Sequence, residues 1–203
     1  MPGKRDNIEI KVLGIGASPL KGGSTDTLLD RALEGARSCG AVTEKIVLND
    51  LHFVPCQECG GCSNSGVCIH RDDMADMYEK VEKADVIVLA SPIFFANLTA
   101  QAKAFIDRFH CVWVSKNALG KTLTSISKKG AFICVSAVEK KAYFENARSI
   151  IRALFTTIGV TYTSELYCGG ISKTEDVLKD KQLINKAFVL GKSLCDFHTK
   201  VNL

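Results

Sequence analysis

The chain has 203 residues, 46% of them hydrophobic and 24% charged, enough for one sizeable buried core in a single domain over residues 1–203. Its formal charge of +4 is modest, and Lys and Arg are scattered rather than gathered among aromatics, which argues against nucleic acid binding. The longest apolar runs, such as Val86-Ile87-Val88-Leu89-Ala90, are too short to cross a bilayer, and Met1-Pro2-Gly3-Lys4-Arg5-Asp6 carries no apolar signal segment, so a reducing cytoplasm is the expected location.

Short β-branched runs alternate with longer amphipathic stretches, the pattern of a parallel sheet covered by helices. Strand one is expected at residues 9–15. A helix at 24–39 follows, its apolar positions Leu28, Leu29, Ala32, Leu33 and Ala36 recurring at helical spacing. Gly40 stops that helix, and strand two occupies 42–48. Beyond a cysteine-rich loop at about 53–71, a short helix opens at Asp72-Asp73 and runs to about residue 83. Strand three, 85–90, leads into a helix from Asn97 or Thr99 to about residue 109. Residues 110–129 read as an irregular connection. Strand four (130–135), a helix (143–158), strand five (160–166) and one closing helix (175–201) complete a five-stranded doubly wound α/β sheet with neither repeats nor a dividing linker. Ligands of such sheets lie beyond the carboxyl ends of the strands, where strand order reverses.

The loop after strand one begins as Gly14-Ile15-Gly16 but has Pro19 at the third glycine position of a dinucleotide fingerprint, and no Gly-Lys-Ser/Thr triplet follows. Instead Ser18-Pro19-Leu20-Lys21-Gly22-Gly23-Ser24-Thr25 runs straight into a helix. Backbone N–H groups there, with the Ser18, Ser24 and Thr25 hydroxyls and Lys21, suit a phosphate; plain helix capping by Ser24 or Thr25 is the simpler role. After strand three, Ser91-Pro92-Ile93-Phe94-Phe95-Ala96-Asn97 offers a rigid turn and an apolar wall for a flat ring, or aromatic packing with Asn97 as a helix cap.

The loop after strand two is the most specific feature. Cys56, Cys59, Cys62 and Cys68 fall within thirteen residues in the pattern C-x2-C-x2-C-x5-C, and Gly60-Gly61 lets the backbone curl. That spacing points first to an iron–sulfur cluster, with zinc and a reduced metal-free loop as rivals. Glu58 and His70 beside the thiols read as solvated. Of the nine cysteines, the isolated Cys39, Cys111, Cys134, Cys168 and Cys195 read as small buried hydrophobes, and Trp113 with Phe109 and Val112 as packing.

Taken together, Ser18-Pro19-x-Lys21-Gly22-Gly23-Ser24-Thr25, the loop from Cys56 to Cys68 with Asp72-Asp73-Met74, and Ala90-Ser91-Pro92-Ile93-Phe94-Phe95 with Ala100-Gln101-x-Lys103-Ala104-Phe105-Ile106-Asp107-Arg108 resemble the flavodoxin-like NAD(P)H-dependent FMN reductases. The compact cysteine loop is similar to that of the iron–sulfur flavoproteins within that group. The resemblance implies strand order 2-1-3-4-5, FMN, a [4Fe–4S] cluster on Cys56, Cys59, Cys62 and Cys68, and a homodimer or homotetramer. It implies Ser18, Ser24 and Thr25 at the FMN phosphate and Pro92, Ile93, Phe94, Phe95 and Asn97 near the flavin. Two departures stand out. The family often has arginine after Ser-Pro and asparagine before the threonine, where this chain has Leu20 and Ser24, leaving Lys21 to supply the charge. Where the reductases often turn on glycines after strand four, this chain has Ser136-Ala137-Val138-Glu139-Lys140, which puts Ser136, Ala137 and Glu139 at the ring edge.

The implied activity is electron transfer between FMN and the cluster, with a redox partner such as ferredoxin or NAD(P)H, or a small-molecule acceptor, and no side chain acting as acid or base. A flavin-only NAD(P)H-dependent FMN or quinone reductase and a zinc-loop docking module are the rival readings. Because the cysteine loop leaves strand two and the flavin loops leave strands one and three, all are expected on one rim of the sheet.

Overall fold

The computed structural model describes residues 9–121 and 128–196. Five parallel strands, β1 (Lys11–Gly16), β2 (Val42–Val47), β3 (Val86–Pro92), β4 (Lys128–Val135) and β5 (Val160–Cys168), form one sheet in the order β2-β1-β3-β4-β5. This is the flavodoxin-like order. The central strands are apolar along their length because both faces are covered, as in Val86-Ile87-Val88-Leu89-Ala90, whose residues are all at most 1% exposed. Leu89 lies opposite Ile15 on one side and Phe132 on the other. The β4–β5 register shifts at Gly130/Ala131, and the Thr163 hydroxyl at that bulge donates to the Gly130 carbonyl.

Helices α1 (Ser24–Arg37), α6 (Thr174–Lys179) and α7 (Lys181–Leu194) cover one face, with Leu28, Leu29, Leu33, Val177 and Leu190 against Val88 and Ile133. The other face carries α2 (Met74–Lys83), α3 (Ala100–Arg108), α4 (His110–Asn117) and α5 (Lys141–Thr157), which bury Met77, Phe105, Ile151 and Phe155 against Ile15 and Phe132. The helices α1 and α7 cross on glycine. A Cβ on Gly191 would stand 1.7 Å from the Ala32 carbonyl oxygen, and one on Gly35 would stand 2.0 Å from that of Phe188.

The expected elements are present with ends moved by one to three residues, apart from two differences. Residues 110–117 of the expected connection form α4, whose inward side is only Cys111 and Val114; residues 122–127 lie outside the described residues. The expected closing helix is broken at Asp180, whose carboxylate accepts N–H bonds from Gln182 and Leu183 and so starts a new helix. Residues 197–201 of that expectation lie outside the described residues. Among the described residues, no helix is long and apolar enough to cross a membrane.

Candidate functional site

Two cavities carry the chemistry-bearing loops. The first, of about 430 Å³, opens at the carboxyl ends of the strands and is lined by Ser18, Pro19, Leu20, Gly23, Ser24, Thr25, Pro92, Ile93, Phe94, Val135, Ala137 and the segment from Ile171 to Glu175. Backbone bonds tie this rim together: Ala17 N–H to Ala90 O, Ile93 N–H to Val135 O, Ser136 N–H to Cys168 O and Ile171 N–H to Ser136 O. Thr99 locks two of the loops, because its hydroxyl donates to Ala17 O at 2.8 Å while accepting the Ala102 N–H that begins α3. At the other wall, Gly23 is the N-cap of α1 and gives it no side-chain cap. Ser24 and Thr25 therefore stand inside the first turn, at the positive end of the helix dipole.

Not every expected residue reaches this cavity. Lys21 turns away to Asp50, 2.8 Å from its carboxylate. The cation on the lining is Lys173, beside Glu175, in the loop after β5. Ser136 is buried and holds the Val138 backbone, Glu139 packs on Gly169, and the Asn97 side chain accepts the Leu98 N–H. Phe95 is fully exposed at the tip of a tight turn closed by Phe94 N–H to Asn97 O and Asn97 N–H to Phe94 O. Both central residues of that turn are left-handed, Phe95 at φ +48° and Ala96 at φ +63°, a geometry that ordinarily selects Asn-Gly. It directs Phe94 to the cavity and Phe95 to solvent.

The second cavity, of about 290 Å³, collects all four loop cysteines, Cys56, Cys59, Cys62 and Cys68, together with Glu58, His70, Arg108, His110 and Cys111. The loop curls through left-handed residues at Glu58, Gly60 and Gly66. Gly61 packs on Ile69 and Gly66 on Ser115 of α4, where in each case a Cβ would come within 2.6 Å. Asp72 anchors the loop. Its carboxylate accepts N–H bonds from Val54 and Met74 and pairs with both Arg108 amino groups, at 2.6 and 3.0 Å. That guanidinium holds the Asp72 carboxyl below the usual carboxylate range. Burial, the largest influence, would lower the Arg108 value, but the bonds to Asp72 together with the neighbouring Tyr78, Cys68 and Asp72 charges raise it overall.

Arg108 is 2% exposed and reaches further, donating to Val54 O at 2.8 Å and to the Cys68 sulfur at 3.5 Å. The Cys56 sulfur lies 3.9 Å from His110 Nδ1. The Cys111 thiol, pushed up by burial, points at the Arg108 carbonyl. Burial also takes the Cys168 thiol to about 12 and the Cys195 thiol to about 11, so both remain protonated packing groups. Cys39, in contrast with its expected burial, is exposed. Among the described residues, no group of three or more His, Cys, Asp or Glu side chains is drawn together tightly enough for a single metal ion; the four thiols ring a cavity instead.

The cysteine loop is tied to the exit of β2 and the start of α2, through Asp73 N–H to His52 O and the Arg108 bonds to Val54 O and Asp72, and its cavity extends to Cys111 and Val114 of α4. The two cavities share no lining residue. Sequence reasoning also missed Arg108, Cys111 and the segment from Ile171 to Glu175. The last follows Gly169-Gly170 at a strand end, a signal the rim rule could have used. Arg108 and Cys111 come from helices distant in sequence.

A doubly wound sheet of flavodoxin-like order with a cavity at its strand ends defines a class of ligand-binding α/β proteins, and the family match narrows it. Residues 10–157 match the family model described as NADPH-dependent FMN reductase, and the chain belongs to that family. An iron-sulfur flavoprotein of Archaeoglobus fulgidus is 40% identical over 99 residues, 49% of this chain and 45% of that protein. One from Methanosarcina thermophila is 37% identical over 99 residues, 49% and 52% of the two chains. The chain thus matches about half the length of these relatives. The NAD(P)H:quinone oxidoreductase from Methanothermobacter marburgensis superimposes with a TM-score of 0.76 at 20% identity, covering 95% of this chain and 99% of that one, a likeness of fold.

Proposed function

We propose that the chain is an FMN-dependent oxidoreductase that passes electrons between FMN in the rim cavity and a [4Fe–4S] cluster on Cys56, Cys59, Cys62 and Cys68. The observation that carries this reading is the single cavity lined by all four cysteines and walled by a buried guanidinium, in a chain of an FMN reductase family. The donor set fits the cluster. Four thiolates are soft ligands for iron, the group they would hold is anionic, and Arg108 stands beside them with its Nε buried and unpartnered, as is Nε2 of His70. The relatives named iron-sulfur flavoproteins support the same assignment.

The rim cavity fits FMN in size and lining. The backbone N–H groups of Ser24 and Thr25, the Ser18 hydroxyl and Lys173 would hold the phosphate, and Pro92, Ile93, Phe94 and Ala137 would wall the ring. Lys21, Asn97, Ser136 and Glu139 support the surrounding loops, and Phe95 faces solvent. Bound together, the two groups supply conversion between one-electron and two-electron carriers. The protein's part is to hold them in two cavities that share no lining residue. A carrier such as ferredoxin or NAD(P)H is the proposed redox partner.

Anaerobic purification followed by a visible spectrum and iron, sulfide, zinc and FMN determination tests this. The expected result is about four iron and one FMN per chain, with absorption that bleaches on reduction. FMN without iron, even after anaerobic reconstitution, would replace the reading by a flavin-only reductase. Zinc without flavin would leave a docking module.

A further inference from the structure

We infer that Arg108 and His70 are positioning residues that set the reduction potential of the group held by the four cysteines, by aiming N–H donors and a fixed charge at it. The inference rests on the cluster reading above and deepens it.

Among the described residues Arg108 is the largest fully buried side chain, and its environment is more than a salt bridge. A guanidinium that served only to anchor the loop would spend its fork on the Asp72 carboxylate and the Val54 carbonyl. Here Nη2 also reaches Cys68 Sγ at 3.5 Å, while Nε is buried without any hydrogen-bond partner. His70, two residues beyond Cys68, shows the same anomaly at Nε2. Both residues line the cysteine cavity. Arg31 and Arg148 also carry an unpartnered Nε, so what sets Arg108 apart is its burial on the wall of the four-thiol cavity together with its contact to one of the thiols. Loop anchoring explains the Asp72 and Val54 contacts but not the contact with the Cys68 sulfur.

The direction of the effect follows from charge. Each one-electron reduction adds a negative charge to a thiolate-bound cluster, and N–H donors and cations near its sulfurs favour the more negative state. Arg108 keeps its charge at every relevant pH, and His70 donates in the tautomer protonated at Nε2. Removing one such donor should lower the equilibrium constant for reduction about tenfold, a downward shift of about 59 mV for a one-electron couple.

The test measures the cluster potential by anaerobic titration in the wild type, His70→Phe, Arg108→Lys and the double variant Asp72→Asn/Arg108→Gln, with iron content and electron paramagnetic resonance spectra to verify that each is loaded. His70 is on a loop, and the double variant leaves no unpaired charge, so both are chosen to fold. The expected result is a lower potential in His70→Phe; in the double variant the Arg108 and Asp72 charges leave together, so the fall expected there is that of the lost N–H donor to Cys68 alone, with Arg108→Lys between it and the wild type. Loaded variants that all keep the wild-type potential would overturn the inference and leave the cluster reading intact. Iron loss confined to the Arg108 variants, with an unmoved potential in His70→Phe, would reduce Arg108 to a loop anchor and overturn it as well. A wild type that never takes up iron would remove the cluster reading and this inference with it.

Discussion

Asp72 concentrates four donors on one carboxylate: the Val54 and Met74 N–H groups and both amino groups of Arg108. Replacing it by Asn leaves the guanidinium buried without its counter-charge, and the expected loss is about 3–5 kcal/mol of folding stability, read from urea unfolding. The same pair gives acid sensitivity. Because the folded Asp72 value is depressed by Arg108, its stabilisation is complete above the ordinary carboxylate value of about 4 and is lost as pH falls through the lower folded value. The stability gap between wild type and Asp72→Asn should therefore narrow below about pH 4; a constant gap would show that the charge pair is not its source. At the rim, Lys173→Ala should weaken FMN binding about fivefold, the scale of one exposed charge near a helix terminus, while Lys21→Ala leaves it unchanged. Fluorescence titration with FMN checks both. The four cysteines were legible because their spacing is itself the signal, and Ser24 and Thr25 because they precede a periodic helix. Lys173 and Arg108 were not, since a surface lysine looks like any other and Arg108 lies 40 residues from Cys68.

At the scale of elements, helix and strand positions followed from apolar periodicity wherever one face is buried. The helix α4 escaped because only Cys111 and Val114 are buried, too few to print a period, and Asp180 broke an apparently continuous helix through a cap that periodicity does not register. The glycines at the α1–α7 crossing are equally silent in sequence, yet they decide whether the helices can meet. Gly191→Ala places a methyl 1.7 Å from the Ala32 carbonyl oxygen, and since backbone cannot yield as a side-chain end would, a loss of at least about 1–3 kcal/mol is expected. An unchanged urea midpoint would mean that the helices separate at little cost. The turn from Phe94 to Asn97 runs the other way. Its two left-handed residues are not glycine, so Ala96→Gly relieves backbone strain and should stabilise by up to about 1 kcal/mol. The strained geometry aims Phe94 into the rim cavity, so the same variant should bind FMN less tightly if that aim is what the strain secures.

For the whole molecule, alternating strands and helices pointed to a doubly wound sheet, but the order β2-β1-β3-β4-β5 was anticipated from family resemblance, because pairing among buried parallel strands leaves little local trace. The rim rule pointed to the first cavity, while the second is closed by residues from α3 and α4, Arg108, Cys111 and Val114, that the rule does not consider. Separation of the two sites has a thermodynamic consequence. With no shared lining residue, cluster and flavin should bind independently. In the variant Cys56→Ala/Cys59→Ala, iron should be absent while FMN stoichiometry and affinity stay at wild-type values. FMN at 100 times its dissociation constant adds about 2.7 kcal/mol to the folded state, a rise of roughly 5–10 °C in melting temperature for a chain of this size. That rise should be equal in the iron-free variant and in the loaded protein. A smaller rise without iron would mean that the cluster loop helps to form the flavin cavity, and the two sites would then have to be treated as one coupled unit.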